Sequence, residues 1–289
     1  MSEDAAAFFV PVAGGFEPTE LTRGPWNPDS QHAGPPAALI GRAIERCEAA
    51  AEPDPAAPAP DWIVGRVTYE ILRPIPIARL EVEARVRRPG RRVQLLEADL
   101  RDADGPLVLG RGWRIRGDRT ELPAGLASED PESPARLAGR PTGELGPPDG
   151  PDDGGRSDFF PTEQEVGYHT AMEYRFVRGS FVEAGPATSW MRMRHPLIAG
   201  ERPSPLQRVL VAADSGNGIS SALDFRRYLF INVDLTVHLH RMPVGEWVCV
   251  DALTVPEPSG VGLADAALYD ERGPIGRAAQ TLLVAERRR

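Results

Sequence analysis

The sequence predicts an α+β fold built as two similar halves. Three observations carry that reading: a gapless internal repeat, a helix-then-strands pattern found once in each copy, and a break rich in proline, glycine and acids between them.

The repeat appears when the numbering is shifted by 168. Thr68, Arg73, Ala98, Leu100, Asp102 and Gly105 then fall on Thr236, Arg241, Ala266, Leu268, Asp270 and Gly273. Val82, Ala84, Val93, Leu95 and Pro106 likewise recur as Val250, Ala252, Val261, Leu263 and Pro274, giving 11 identities in the 39 positions from 68 to 106. Self-similarity at a fixed offset marks a duplicated unit before any secondary structure is assigned.

In chain order, "HAGPPAALIGRAIERCEAA" (32–50) predicts the first helix. Pro35 and Pro36 stand at its first turn, where a missing N–H does no harm, and Ala38, Leu39, Ala43 and Ile44 recur at helical spacing. A proline-rich loop follows at 50–61, then "RVTYEILRPIP" (66–76), β-branched and aromatic-rich, reads as a strand. Further strands are expected around 80–88, 92–102 and 107–116, joined by turns at 90–91 and 104–105. Residues 119–157 hold many prolines, glycines and acids and no apolar periodicity, so they are expected to form a mobile linker between halves at 1–118 and 158–289. The second copy restarts with "SPLQRVLVAADSGNGISSAL" (204–223), Ser204 as N-cap and Pro205 at the first helical position. "NVDLTVHLHRMP" (232–243) and segments near 247–255, 261–270 and 275–285 are the corresponding strands. One helix followed by an antiparallel meander, twice, is an α+β layout.

Composition narrows the function. At 289 residues with 41% apolar and 26% charged residues, the chain can bury a sizeable core. A net charge of −9 argues against a nucleic-acid partner, which needs a basic face. Cys47 and Cys249 lie far apart and outside any CxxC spacing, which excludes a thiolate metal site and suits a reducing compartment. The N-terminal stretch lacks the pattern of a signal peptide, and no apolar run approaches the roughly 20 residues of a membrane span. A cytoplasmic location is therefore expected.

Positions where the copies differ chemically are candidates for function. Asp214 stands opposite Arg46, Asn232 opposite Val64, and Gln280 opposite Gly112. A carboxylate can take a proton from water, and two carboxamides can orient that water, so the trio suits hydrolysis. Asp214 could also cap a short second helix beginning near Ser215. Gly216 and Gly218, costly in a helix interior, could kink it so that Asp214 approaches a substrate. Ser215 has no local histidine to activate it, and no GxSxG occurs. His238 and His240 lie two apart on a strand without a third ligand, so no metal is expected. "RRPGRR" (87–92) reads as a solvated turn before it reads as a phosphate site, and Trp26 as either pocket or core.

The helix "HAGPPAALIGRAIE", the strand "TYEILRPIP", and then "ADSGNGIS", "INVDLTVHLHR", "GEW" and "GPIGRAAQTLLV" resemble the acyl-CoA thioesterase II type, the tandem hot-dog thioesterases. Outside the linker, the resemblance covers nearly the whole chain, and the order and spacing of the motifs carry it. It implies a double hot-dog fold, each unit a long helix wrapped by a curved antiparallel sheet. It also implies hydrolysis of acyl-CoA to free acid and CoA without cofactor, and pairing of protomers into a homo-oligomer. In that family an aspartate, a threonine and a glutamine hold the attacking water. The matching positions look like Asp214, Asn232 and Gln280, with Asn232 departing from the threonine. Asp214 would be the general base, and backbone N–H groups at Gly34 or Gly216 would face the oxyanion. Two other functions fit the same scaffold: a non-catalytic acyl or acyl-CoA binding protein, and a hydratase. Hydratase chemistry wants a His/Asp pair, which the sequence does not show in a suitable context.

Overall fold

The computed structural model describes residues 6–48, 62–117 and 120–287, apart from positions 129, 138, 145 and 160. The proline-rich loop at 50–61 lies outside the described residues. The first half contains a hairpin of β1 (Phe9–Val12) and β2 (Gly15–Pro18), then α1 (Gly34–Arg46), β3 (Trp62–Ile71), β4 (Glu81–Arg88), β5 (Val93–Asp102) and β6 (Gly105–Arg116). Two single turns, α2 (Pro134–Leu137) and α3 (Tyr168–Ala171), precede the second series. That series is β7 (Met172–Arg178), β8 (Ala187–Met193), α4 (Pro205–Ala213), α5 (Gly216–Ile219), β9 (Tyr228–Asn232), β10 (Asp234–Leu239), β11 (Val248–Pro256), β12 (Val261–Asp270) and β13 (Gly273–Glu286).

All strands but the first hairpin join one 11-stranded antiparallel sheet in the order β4-β5-β6-β3-β10-β13-β12-β11-β8-β7, with β9 also on β13. The halves meet where β3 pairs with β10, and there Thr68 stands opposite Thr236. Because these two residues are equivalent under the 168-residue shift, a pseudo-two-fold axis passes through their pair.

Alternation along the strands builds the core. On β5, Gln94, Leu96, Ala98 and Leu100 point inward, and on β13, Ala278, Gln280 and Leu282 do. Leu39, Ile40 and Ile44 of α1 are fully buried against this surface, as are Val209, Leu210 and Val211 of α4. Each such side chain contributes about 1.5–3 kcal/mol. The two helices pack on each other, with Glu201 bound by both Arg42 and Arg46 and the Ser204 hydroxyl donating to Glu45 at 2.7 Å.

The repeat is legible in a polar clasp as well. Arg73 grips Asp102 with two hydrogen bonds and donates to the Gly105 carbonyl at 3.0 Å. Arg241 does the same with Asp270 and the Gly273 carbonyl. Gly105 and Gly273 take φ values of 124° and 131°, a region that favours glycine, so both halves turn their last hairpin alike.

Besides the unexpected β1–β2 hairpin and β9, which ends on Asn232 where the sequence reading has that residue open the next strand, two features differ from the sequence reading. Strands β7 and β8 precede the second helix and extend the sheet at its edge; short, arginine-rich stretches beside glycine and proline hid them. The segment expected to be a mobile linker is docked. Arg140, almost fully buried, donates to Asp251 at 2.6 Å; Thr142 and Thr188 bind the same carboxylate, and Trp190 donates to the Asp149 carbonyl at 2.6 Å. A buried charge on β11 thus recruits a chain segment whose own composition offers no core.

Asp270 tests the clasp. Burial alone would raise its carboxyl, but the Arg241 guanidinium and the N–H groups of Val244 and Arg272 hold it below the ordinary carboxylate range. Its stabilisation is therefore full above about pH 4 and is lost as pH falls toward the depressed value. Asp270→Asn should destabilise the fold by about 3–5 kcal/mol near neutrality and flatten the acid limb of the melting profile. Asp102→Asn, in the more exposed clasp, should do less. Equal melting profiles for parent and Asp270→Asn would refute the role.

Candidate active site

The end of α4 sets the location of the site. Ser204 accepts the Gln207 N–H at 3.2 Å and Pro205 opens the helix, which then runs apolar to Ala213. The Ser215 N–H bonds to the Ala212 carbonyl at 3.0 Å, a tightened turn, and α5 follows as one further turn. Asp214 sits at this break and is only 7% exposed. Its carboxylate does not cap α5. The break falls at Asp214 and Ser215, ahead of both glycines, and neither glycine takes a positive φ, so it is not the glycine kink expected from the sequence. A Cβ on Gly216 would meet Gln280 Oε1 at an ordinary 3.5 Å, and Gly218 faces open space, so nothing in the structure explains Gly218.

Three elements bring side-chain nitrogens to Asp214. Asn232, the last residue of β9, donates Nδ2 to Oδ1 at 2.9 Å. Gln280, inward on β13, donates Nε2 to the same Oδ1 at 3.1 Å and to the Asp214 carbonyl at 3.2 Å. His32, in the loop before α1, places Nδ1 3.0 Å from Oδ2. Gln280 is itself locked, because its Oε1 accepts the Asn217 N–H at 3.1 Å while Asn217 Nδ2 donates to the Phe230 carbonyl at 2.9 Å. The His32 ring stacks on Tyr168 with centroids 3.7 Å apart and planes within 10°. Tyr168 donates to the Val211 carbonyl at 2.7 Å and lies 2.9 Å from Ser215 Oγ.

The three residues expected from sequence therefore converge on one carboxylate. Gly34 lies beside them: its N–H points at His32 Nδ1 from 3.1 Å, and a Cβ there would come within 2.5 Å of the Val211 carbonyl oxygen. Near Gly216, the amide bound to Gln280 is that of Asn217. Sequence reading missed His32, Tyr168 and Asn217. His32 stood in the quoted "HAGPP" helix start, but its partner is 182 residues away in the other half. The hydratase argument also needs correcting, because a His/Asp pair is present.

A narrow cavity of about 10 Å³, the size of a single water, lies between Asp214 and the start of α1, walled by Ala33, Ala37, Tyr69, Ile71, Val108 and Leu235. Asp214 is its one charged wall. Burial, with the Asp214 charge adding, pushes the Tyr69 and Tyr168 phenols above their usual range, so both stay protonated as donors. A wider depression between the docked segment and the β12–β13 turn holds none of these residues, and its Asp270 is already held by Arg241. The site chemistry belongs to the narrow cavity. Arg87 and Arg88 of "RRPGRR" lie on edge strand β4, separated from β10 by three strands, where Arg87 faces Glu97 and Arg88 stacks over Trp113. Trp26 is 46% exposed and packs against Phe225 and Phe230. No helix among the described residues is long and apolar enough to cross a membrane.

Comparison with known proteins gives matches along both halves. Residues 22–115 match the family model of the acyl-CoA thioesterase N-terminal domain, and residues 146–284 that of the C-terminal domain. The second match begins inside the docked segment. A Thermobifida fusca protein provisionally named a thioesterase II is 18% identical, with a TM-score of 0.68 over 96% of this chain and 95% of its own. An Alicyclobacillus acidocaldarius protein described as having a hot dog fold is 15% identical, with a TM-score of 0.66 over 99% and 98%. The acyl-CoA thioesterase II TesB2 of Mycobacterium marinum is 13% identical, with a TM-score of 0.54 over 80% and 83%. These likenesses establish a double hot-dog α+β fold, as the sequence led one to expect. No match was found among curated proteins.

Gly34 offers a direct check on how the halves are brought together. Gly34→Ala forces a methyl group against the Val211 carbonyl and should cost about 1–3 kcal/mol in chemical denaturation. A variant as stable as its parent would mean that the helix start relaxes freely.

Proposed function

The chain belongs to the acyl-CoA thioesterase family, and from that premise we propose that it hydrolyses acyl-CoA thioesters to the free acid and CoA. One observation supports this most: a buried carboxylate beside an apolar cavity, held by N–H donors from two strands and approached at 3.0 Å by a histidine ring nitrogen. A carboxylate has about four lone-pair directions. Three are engaged by His32, Asn232 and Gln280, which leaves one to accept from a water.

In the proposed reaction Asp214 takes a proton from that water as its oxygen attacks the thioester carbon. The tetrahedral intermediate expels the CoA sulfur, and the proton held by Asp214 passes to the leaving thiolate. Gln280, with both ends of its amide occupied, holds the base in place. Asn232 keeps its carbonyl oxygen for the water's second proton, a task the family's threonine would perform with a hydroxyl. The Gly34 N–H is the proposed oxyanion donor, and the small cavity beside Asp214 has room for the attacking water. The scheme uses no cofactor. The same reading carries a cytoplasmic location, homo-oligomeric assembly, and units at 1–118 and 158–289 joined by 119–157.

The His32–Asp214 pair favours a second reading, hydration of a 2-enoyl thioester, in which the water adds across a double bond and the thioester survives. Non-catalytic acyl-CoA binding is the third. One experiment separates them: free-thiol release from a panel of acyl-CoAs, with loss of enoyl absorbance followed in parallel. Hydrolysis by the parent, lowered roughly 10²–10⁴-fold in Asp214→Ala, is the expected result. Binding without turnover would favour the third reading, and enoyl loss without thiol the second. Undiminished hydrolysis by Asp214→Ala would remove the assignment.

A further inference from the structure

We propose that His32, on the N-terminal half, is a positioning residue for the Asp214 carboxylate, acting through its Nδ1–H alone, and that the same proton frees the Gly34 amide for substrate. The inference rests on the thioesterase reading for its chemistry and on geometry for the pairing.

His32 Nδ1 has two neighbours that demand opposite roles. Asp214 Oδ2, 3.0 Å away, can only accept while the carboxylate is ionised. The Gly34 N–H, 3.1 Å away, can only donate. A ring nitrogen cannot satisfy both. Two unprotonated acceptors 3.0 Å apart would repel, so with Asp214 ionised the proposed place of the proton is Nδ1, between the ring and Oδ2. Gly34 then loses this acceptor, and its N–H stands ready for an oxygen that gains negative charge during the reaction. The base and the oxyanion donor are thereby set by one proton.

The ring is held for this task. Tyr168 covers its face in a parallel stack, and the Tyr168 hydroxyl is itself fixed to the Val211 carbonyl at the end of α4. The His32 side chain is 15% exposed and that of Asp214 4%, so water competes weakly for the pair. Without the Nδ1 donor, the carboxylate keeps donors on Oδ1 only and can rotate about its Cβ–Cγ bond.

Three substitutions separate this role from a packing role. His32→Asn puts an amide nitrogen near the Nδ1 position, His32→Gln puts it near the Nε2 position, and His32→Ala removes the donor. On an acyl-CoA that the parent hydrolyses, His32→Asn should keep kcat within a few-fold. His32→Gln and His32→Ala should lose on the order of 10²-fold in kcat, the effect of a misplacement of about 1 Å, with KM little changed. Undiminished kcat in His32→Ala would overturn the proposal, and so would equal losses in all three at equal folded fraction. A second measurement needs no turnover. In ¹⁵N-histidine-labelled protein, the His32 signals, assigned by their absence in His32→Asn, should report the Nδ1-protonated tautomer and shift in Asp214→Ala. A parent without thioesterase activity but with that signature would end the hydrolase reading and leave the pairing standing; the Nε2-protonated tautomer would overturn the pairing.

Discussion

The antiparallel seam between β3 and β10 is the constraint on which the rest of the molecule depends. It lies on the pseudo-two-fold axis, with Thr68 against Thr236, and turns two sheets into one. Once that seam forms, α1 and α4 lie side by side on the sheet, and close approach between them becomes a requirement. Gly34 passes the Val211 carbonyl with no room for a Cβ, and Glu45, Ser204 and Glu201 with its two arginines stitch the helices along their length. The loop that starts α1 is thereby carried to the end of α4. That is the route by which a histidine from one half reaches a carboxylate of the other.

A carboxylate almost shut off from water must be compensated, or its burial would cost several kcal/mol. The fold meets this with one donor from β9, one from β13 and, on the proposed protonation, the His32 ring from the loop before α1. Gln280 illustrates how firmly the arrangement is tied: its amide bonds to the Asp214 backbone and side chain at one end and to the Asn217 N–H at the other. A network in which most members are satisfied is rigid, and rigidity is what orients a base. The same logic operates far from the site, where buried Asp251 is met by Arg140 and two threonines, and where buried Arg114 binds Gln94 and the Cys47 carbonyl just past α1.

How much of this the sequence held depends on whether the signal is local. The strands after each helix carry alternating apolar residues and glycine turns within ten to fifteen positions, and their bounds come out within a few residues. Ser204 and Pro205 announce a helix start by backbone chemistry alone. Asp214, Asn232 and Gln280 stood out because the repeat supplies its own control: Arg46, Val64 and Gly112 occupy the matching positions. His32 had no such contrast, since its role comes from a pairing across the seam. The 119–157 segment misled for a related reason. Its composition lacks a core, but Arg140 finds one in Asp251, and the partner of a lone arginine cannot be read from its neighbours.

Duplication also explains why the two halves kept different things. The Arg–Asp–Gly clasp survives in both, because each half must close its own last hairpin whatever else it does. The carboxylate and its carboxamide partners occur only in the second. In the first, Val64 is buried and the space over Gly112 is filled by Ile44, so apolar packing replaces what would be an amide. The first half is nevertheless not a passive copy. It supplies the walls Ala37, Tyr69 and Val108 of the cavity and the ring that faces Asp214. Each half thus lacks what the other provides, and a second equivalent site cannot form, because α4 has no counterpart of His32 before it: Pro203 and Ser204 stand at that helix start. The asymmetry of the site follows from a symmetric scaffold in which one helix end kept a donor and the other an acid.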